Sequence, residues 1–195
     1  VLPLGYWLPV VSGTAAPTVA GALAMNIHGK NAFHAGSLGE HVLEVQVVFP
    51  GQAPRWLKPD DPDFWAAVGG AGLIGCITAA KIMMKPVPSA FLQVQAKKVR
   101  GWSDTLALFD NVQHEDYAVA WVDMIGPVRS AYHSARYLPG AEKVAGLPQK
   151  SKLVRSAAQR VLKTLNTRGG MGLINAVKFG LSRDHEFRQS LPEFQ

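Results

Sequence analysis

The chain has 195 residues, 48% of them hydrophobic and 17% charged, with a formal net charge of +6. That length can bury a sizeable core, and the composition excludes a disordered or low-complexity protein. A single cysteine, Cys76, excludes an internal disulfide framework and suits a reducing compartment, so a cytoplasmic location is expected.

In chain order, the apolar run Leu2 to Val11 holds Gly5, Pro3 and Pro9 and is too short to span a bilayer. Tyr6 to Val11 reads as a strand, with a turn at Ser12-Gly13. Glycine and alanine then crowd Gly13 to Ala24, and side chains this small let main-chain amides approach a ligand directly. Thr18 follows Pro17 and precedes Val19-Ala20-Gly21-Ala22-Leu23-Ala24-Met25, which predicts an N-cap opening a short helix whose leading amides face an anion. Asn26-Ile27-His28-Gly29-Lys30-Asn31 comes next, then Gly36-Ser37-Leu38-Gly39. The residues alone fit a second reading equally well: tight packing around Gly and Ala, with His28 and Lys30 as solvated loop residues.

Val42 to Pro50 alternates and is β-branched, predicting a strand, and Gly51-Gln52 turns into a hairpin partner over Ala53 to Leu57. Pro59-Asp60-Asp61-Pro62-Asp63 is a helix-entry signal for Phe64 to Val68; the aspartates read as caps, since no further ligand type is near enough for a metal site. Gly70-Ala71-Gly72-Leu73-Ile74-Gly75 has the letters of a dinucleotide fingerprint but the wrong context. A helix precedes it, a strand-like Cys76-Ile77-Thr78 follows, and Gln93 and Gln95 stand where an acid is needed. It reads as a turn feeding a strand.

Pro86 and Pro88 mark a boundary near residue 88. Beyond it Phe91 to Val99 alternates, Ser103-Asp104 predicts the cap of a helix to about Asn111, and Tyr117 to Met124 and Ser130 to Tyr137 read as strands. Cys76, His114 and His133 lack metal-ligand spacing, so no metal is expected. Residues 141–195 hold ten Lys or Arg against four acids, while residues 1–140 hold ten of each, so the whole net charge resides in the tail. Leu153, Val154, Ala157, Ala158, Val161, Leu162 and Leu165 form a helical stripe with Lys152, Arg155, Arg160 and Lys163 off it, and Met171, Ile174, Val177 and Leu181 form a second. Two readings stay open: a helix pair packed on the fold with a solvated basic face, or peripheral contact of residues 150–190 with an anionic membrane. Nucleic acid is not expected as a partner, because no aromatics interleave the basic residues.

The string Thr18 to Asn31, followed by Ala35-Gly36-Ser37-Leu38-Gly39 and His41-Val42, resembles the flavin-binding core of the vanillyl-alcohol oxidase superfamily, with its PCMH-type FAD-binding domain. Gly13-Thr14, Phe64 to Gly70, Gly72 to Gly75, and Tyr117 with Ala120 to Asp123 agree in order, and within the superfamily the likeness is to the decaprenylphosphoryl-β-D-ribose 2′-oxidase branch. The resemblance covers about residues 5–140 and implies an α+β fold. Residues 1–88 would be the second lobe of the FAD-binding domain, an antiparallel or mixed sheet with flanking helices. Residues 89–140 would start an antiparallel-sheet substrate cap, and 141–195 would be its basic helical segment. The chain begins at Val1, within what resembles the link between lobes, and ends at Gln195 before the family's C-terminal part, so the middle of a longer enzyme is expected.

The resemblance implies FAD as cofactor, with Gly13, Thr18, Val19, Ala20, Gly21, His28, Gly29, Lys30, Asn31 and Ile77 as cofactor-binding positions. Ile77 would lie by the isoalloxazine ring and Lys30 would place positive charge near the reduced flavin. No catalytic residue is assigned, because the family's base would lie beyond this chain. Val119 stands where the ribose oxidases carry a small hydroxyl residue, which leaves the sugar open. Three function classes follow: an oxidoreductase acting by hydride transfer on a hydroxyl of a sugar or lipid-linked sugar, a flavin-dependent alkene reductase, and a non-catalytic fragment that folds or self-associates without turnover.

Overall fold

The computed structural model describes residues 1–14, 16–140 and 167–195. These form two units, Val1–Ala90 with Gln195 and Phe91–Phe194. In the first, valine patterning sets the sheet. β1 (Tyr6–Trp7), α1 (Val19–Ala24) and α2 (Ala32–Ala35) precede β2 (Val42–Val48), β3 (Arg55–Leu57), α3 (Phe64–Ala67), β4 (Cys76–Ile82) and β5 (Lys85–Pro86). β2 is the middle strand of an antiparallel sheet ordered β3-β2-β4. Val42, Val45 and Val47 are buried, and the register shift between Val42 and Glu44 turns both Val42 and Val45 inward although they lie three apart. They pack with Val10, Ala22, Leu23, Leu38, Leu57, Phe64, Val68 and Ile77 in one core.

The expected strand from Tyr6 to Val11 is only two residues long and pairs with β5. Pro9 has no N–H to give a ladder, and its carbonyl is taken by the Asn31 side chain at 2.8 Å. The hairpin after Val48 forms as expected, closed by the Gln52 amide donating to the Phe49 carbonyl. The glycine-rich turn closes the end of α1. There the amides of Gly69 and Ala71 donate to the carbonyls of Leu23 and Ala24 (3.0 and 2.7 Å), and the Leu23 carbonyl also takes the Asn26 amide at 2.9 Å. Gly69 and Gly72 sit at φ 91° and 73°, conformations that glycine supplies without strain. Helix before and strand after is the reverse of a dinucleotide-binding turn.

In the second unit, β6 (Phe91–Arg100), α4 (Trp102–Ala107), β7 (Tyr117–Asp123), β8 (Arg129–Tyr137), α5 (Arg168–Leu181), β9 (His185–Ser190) and α6 (Leu191–Phe194) build a four-stranded antiparallel sheet ordered β7-β8-β6-β9. Leu92, Val94 and Ala96 alternate inward along β6, as their spacing predicts. The α4 cap differs from expectation. Gly101, at φ 85°, starts the helix before Ser103, and its carbonyl accepts both the amide and the hydroxyl of Thr105. The helix ends at Ala107, short of Asn111.

Thr167 caps α5 through the Gly170 amide at 3.1 Å. The inner face of α5 is not the apolar stripe of the sequence. Asn175 donates to buried Asp123 at 2.8 Å, and Phe179, four residues on, is buried beneath Lys98, Arg100 and Arg129. Val177 and Leu181 point outward, 53% and 77% exposed. The basic stripe from Leu153 to Leu165 lies outside the described residues. No helix among the described residues is long and apolar enough to cross a membrane.

Candidate functional site

The candidate residues fall on three pieces of the first unit. Gly13 lies in an exposed turn, and a Cβ there would meet nothing within 4 Å. Thr18 caps α1, its Oγ1 accepting from the Gly21 amide at 3.1 Å, while its carbonyl takes the Ala22 amide at 2.8 Å. The amides of Val19 and Ala20 thereby have no hydrogen-bond partner among the described residues, and Val19 is 52% exposed. Gly21 is held close to its cap, where a Cβ would stand 3.2 Å from Thr18 Oγ1.

The second piece is a closed loop. Ile27 O accepts the Leu38 amide at 2.9 Å, His28 bridges Ser37, and Asn26 Oδ1 accepts the Gly39 amide at 2.8 Å. Asn26 adopts φ 41°, a conformation that asparagine tolerates better than most residues. His28 is exposed. Gly29 faces the other way: a Cβ would stand 2.6 Å from Val11 O and 2.9 Å from Asn31 Oδ1. The smallness of Gly29 is therefore demanded by packing against Val11, not by open space for a ligand. Asn31 is buried, 3% exposed, and ties the loop to Pro9. Lys30 donates to the Gln195 carbonyl at 3.4 Å, and burial pushes its ammonium below the usual lysine range.

Ile77 is the third piece. Its side chain is a core residue opposite Val47, so what β4 offers outward there is backbone and the exposed neighbours Cys76 and Thr78. Gly29 packs against Val11, two residues before Gly13, while Ile77 meets α1 only through the core that it shares with Ala22 and Leu23. Sequence reasoning missed a cleft of about 490 Å³ between Val48–Gln52 and Gly72–Cys76, beside the start of β4. Its only sequence signal is the glycine at each turn. Among the described residues no three His, Cys, Asp or Glu are placed to hold a metal.

No carboxylate occurs between Gly13 and Asn31; the first acid, Glu40, is occupied by the Ser37 amide and hydroxyl, which hold its carboxyl below the usual range. Exposed backbone at Gly13, the amides of Val19 and Ala20 without a partner among the described residues, and the Lys30 ammonium suit an anionic ligand.

Comparison with known proteins agrees with that character. Residues 1–52 match the family described as FAD binding domain. Decaprenylphosphoryl-beta-D-ribose oxidase of Mycolicibacterium smegmatis is 36% identical over 154 residues, covering 76% of this chain and 34% of that protein. The chain is thus similar to PCMH-type FAD-binding oxidoreductases, and its first 52 residues match an FAD binding domain. An "Uncharacterized protein in mprA 5′ region" of Streptomyces coelicolor is 32% identical over 126 residues, 64% of this chain and 34% of that one. The chain spans about a third of the length of these two relatives. For a family whose cofactor is FAD, the fit is good where the backbone is open: at Gly13, at Thr18–Ala20 and at exposed His28.

Proposed function

We propose that residues 1–88 act as the second lobe of an FAD-binding domain and that the sheet beginning at Phe91 starts a substrate cap. The protein of which they form part would oxidise a hydroxyl group of a sugar or lipid-linked sugar. The observation that carries this reading is the acid-free segment from Gly13 to His28, exposed at Gly13, Thr18, Val19 and His28, which lies wholly inside the matched FAD-binding segment. When bound, FAD supplies a hydride acceptor for the carbon bearing that hydroxyl.

The chain's own residues do the holding. Gly13 and the amides of Val19 and Ala20 receive the cofactor, His28 stands exposed at the same surface, and Lys30 contributes positive charge to the loop. Gly29 and Asn31 keep that loop against Val11 and Pro9. The sugar is proposed from the relative's name, which says that it oxidises decaprenylphosphoryl ribose. Val119, paired opposite His133 in the second sheet, is the departure that bears on which sugar is taken.

The test is flavin reduction. Protein loaded with FAD is mixed anaerobically with free and lipid-linked sugar alcohols while the flavin absorbance is followed. Bleaching by a sugar hydroxyl donor is the expected result. Bound flavin that no such donor bleaches contradicts the substrate class while leaving the cofactor reading intact.

A further inference from the structure

Among the described residues, the second unit leaves an apolar ridge on α5 uncovered. Leu173, Val177 and Leu181 follow one another at four-residue spacing along α5, 61%, 53% and 77% exposed. Four-residue steps keep them on one side of the helix, a line about 12 Å long at 1.5 Å per residue. With Ile174 they line a surface trough of about 590 Å³. The ridge is held outward by the opposite face: Asn175 bonds Asp123, and Phe179 is buried under Lys98, Arg100 and Arg129. Rotating α5 to hide the leucines would break that buried polar link and expose Phe179.

Charge says what could cover the ridge. From Arg168 to Arg183 the sequence contains no acid, and Lys178 lies among the trough residues. Leu181 and Ser182 also line an adjoining cleft with Lys97, His133, Arg183 and His185. Asp184 is the one carboxylate of that cleft, and it accepts the Lys98 amide at 2.8 Å. An apolar line ending in a cationic cleft matches a lipid bilayer with anionic headgroups, acyl chains under the leucines and phosphates at the cations. A soluble acidic protein would answer the charge and leave the leucines without a counterpart.

We propose that the outer face of α5 seats the protein on an anionic membrane surface. The binding is peripheral and reversible, through Leu173, Val177 and Leu181 with Lys178 and Arg183 as the charged margin. It requires nothing of the flavin reading, since it concerns the second unit alone.

The experiment is vesicle co-sedimentation of the chain with phosphatidylcholine, with and without phosphatidylglycerol. The compared proteins are wild type, L173S/L181S, L173M/L181M and K178E. Wild type should sediment with anionic vesicles, lose binding as salt rises, and stay in solution with neutral ones. The double serine variant should lose most of the binding with an unchanged far-UV spectrum, and the methionine pair should keep it. K178E should weaken it about fivefold or more. Sedimentation that ignores the leucine substitutions overturns the proposal, as does no sedimentation at all. So does a wild-type chain that elutes as an oligomer and becomes monomeric in L173S/L181S, which would assign the face to a second copy.

Discussion

Replacing Gly29 by alanine adds one methyl group at the tightest point of the candidate site. That Cβ would stand 2.6 Å from Val11 O, 2.9 Å from Asn31 Oδ1 and 3.3 Å from Val11 N. Two of the three neighbours are backbone, so relief must come from separating the segments or displacing Asn31. Overpacking of this kind costs about 1–3 kcal/mol. Displacing Asn31 also breaks its 2.8 Å bond to the Pro9 carbonyl, and an unsatisfied buried group adds about 1–3 kcal/mol. Restricting the unfolded chain returns about 0.4–1 kcal/mol. The net loss should be about 2–4 kcal/mol, read as a lowered urea midpoint by tryptophan fluorescence and circular dichroism. Gly13→Ala is the matched control, with nothing within 4 Å of its Cβ, and should change stability by less than about 0.5 kcal/mol. Equal stability of the two variants would refute the packing argument for Gly29.

Phe64 is fully buried in the first core, so Phe64→Ala should cost about 3–5 kcal/mol, read as a lowered urea midpoint. In the second unit, burial alone would raise the Asp123 carboxyl, but the Ile125 amide, Asn175 and Arg129 outweigh it and hold it below the usual range. Its stabilising effect is thus complete above the ordinary aspartate range and lost as pH falls through the lowered value. Acid titration of the unfolding midpoint should show a steeper loss in wild type than in Asp123→Asn. Tyr117 and Tyr137 share a 2.6 Å hydrogen bond, and burial pushes Tyr117 up to about 12. Their stabilisation is full below the ordinary tyrosine value of 10.0 and declines as pH rises through about 12, so tyrosinate absorbance should appear with alkaline unfolding. Tyr117→Phe should remove about 1 kcal/mol at neutral pH and flatten that alkaline loss.

Where one local signal decided an element, it was legible in the residues. Valines at Val42, Val45, Val47 and Val48 announced β2, Thr18 announced its own cap, and Leu92, Val94 and Ala96 announced β6. What failed depended on partners distant in sequence. Pro9 ends β1 because its carbonyl serves Asn31, twenty-two residues away. The inner face of α5 is chosen by Asp123, far up the chain, so the stripe Met171, Ile174, Val177 and Leu181 marked a real periodicity but not the buried side. β9 went unread because it is an edge strand with one large apolar residue, Phe187, among polar neighbours. In the candidate site the sequence assigns one role to residues that the fold uses differently: Gly13 and Thr18 are exposed, whereas Gly29 and Asn31 hold the loop together.

The most direct measurement is an FAD titration of the chain, followed by flavin fluorescence, on wild type, Gly13→Val and His28→Ala. Saturable binding to wild type is predicted, weakened in both variants while their unfolding midpoints stay where wild type has them. Flavin that binds all three equally, or binds none of them, would contradict the assignment of the Gly13–Asn31 surface as the cofactor site.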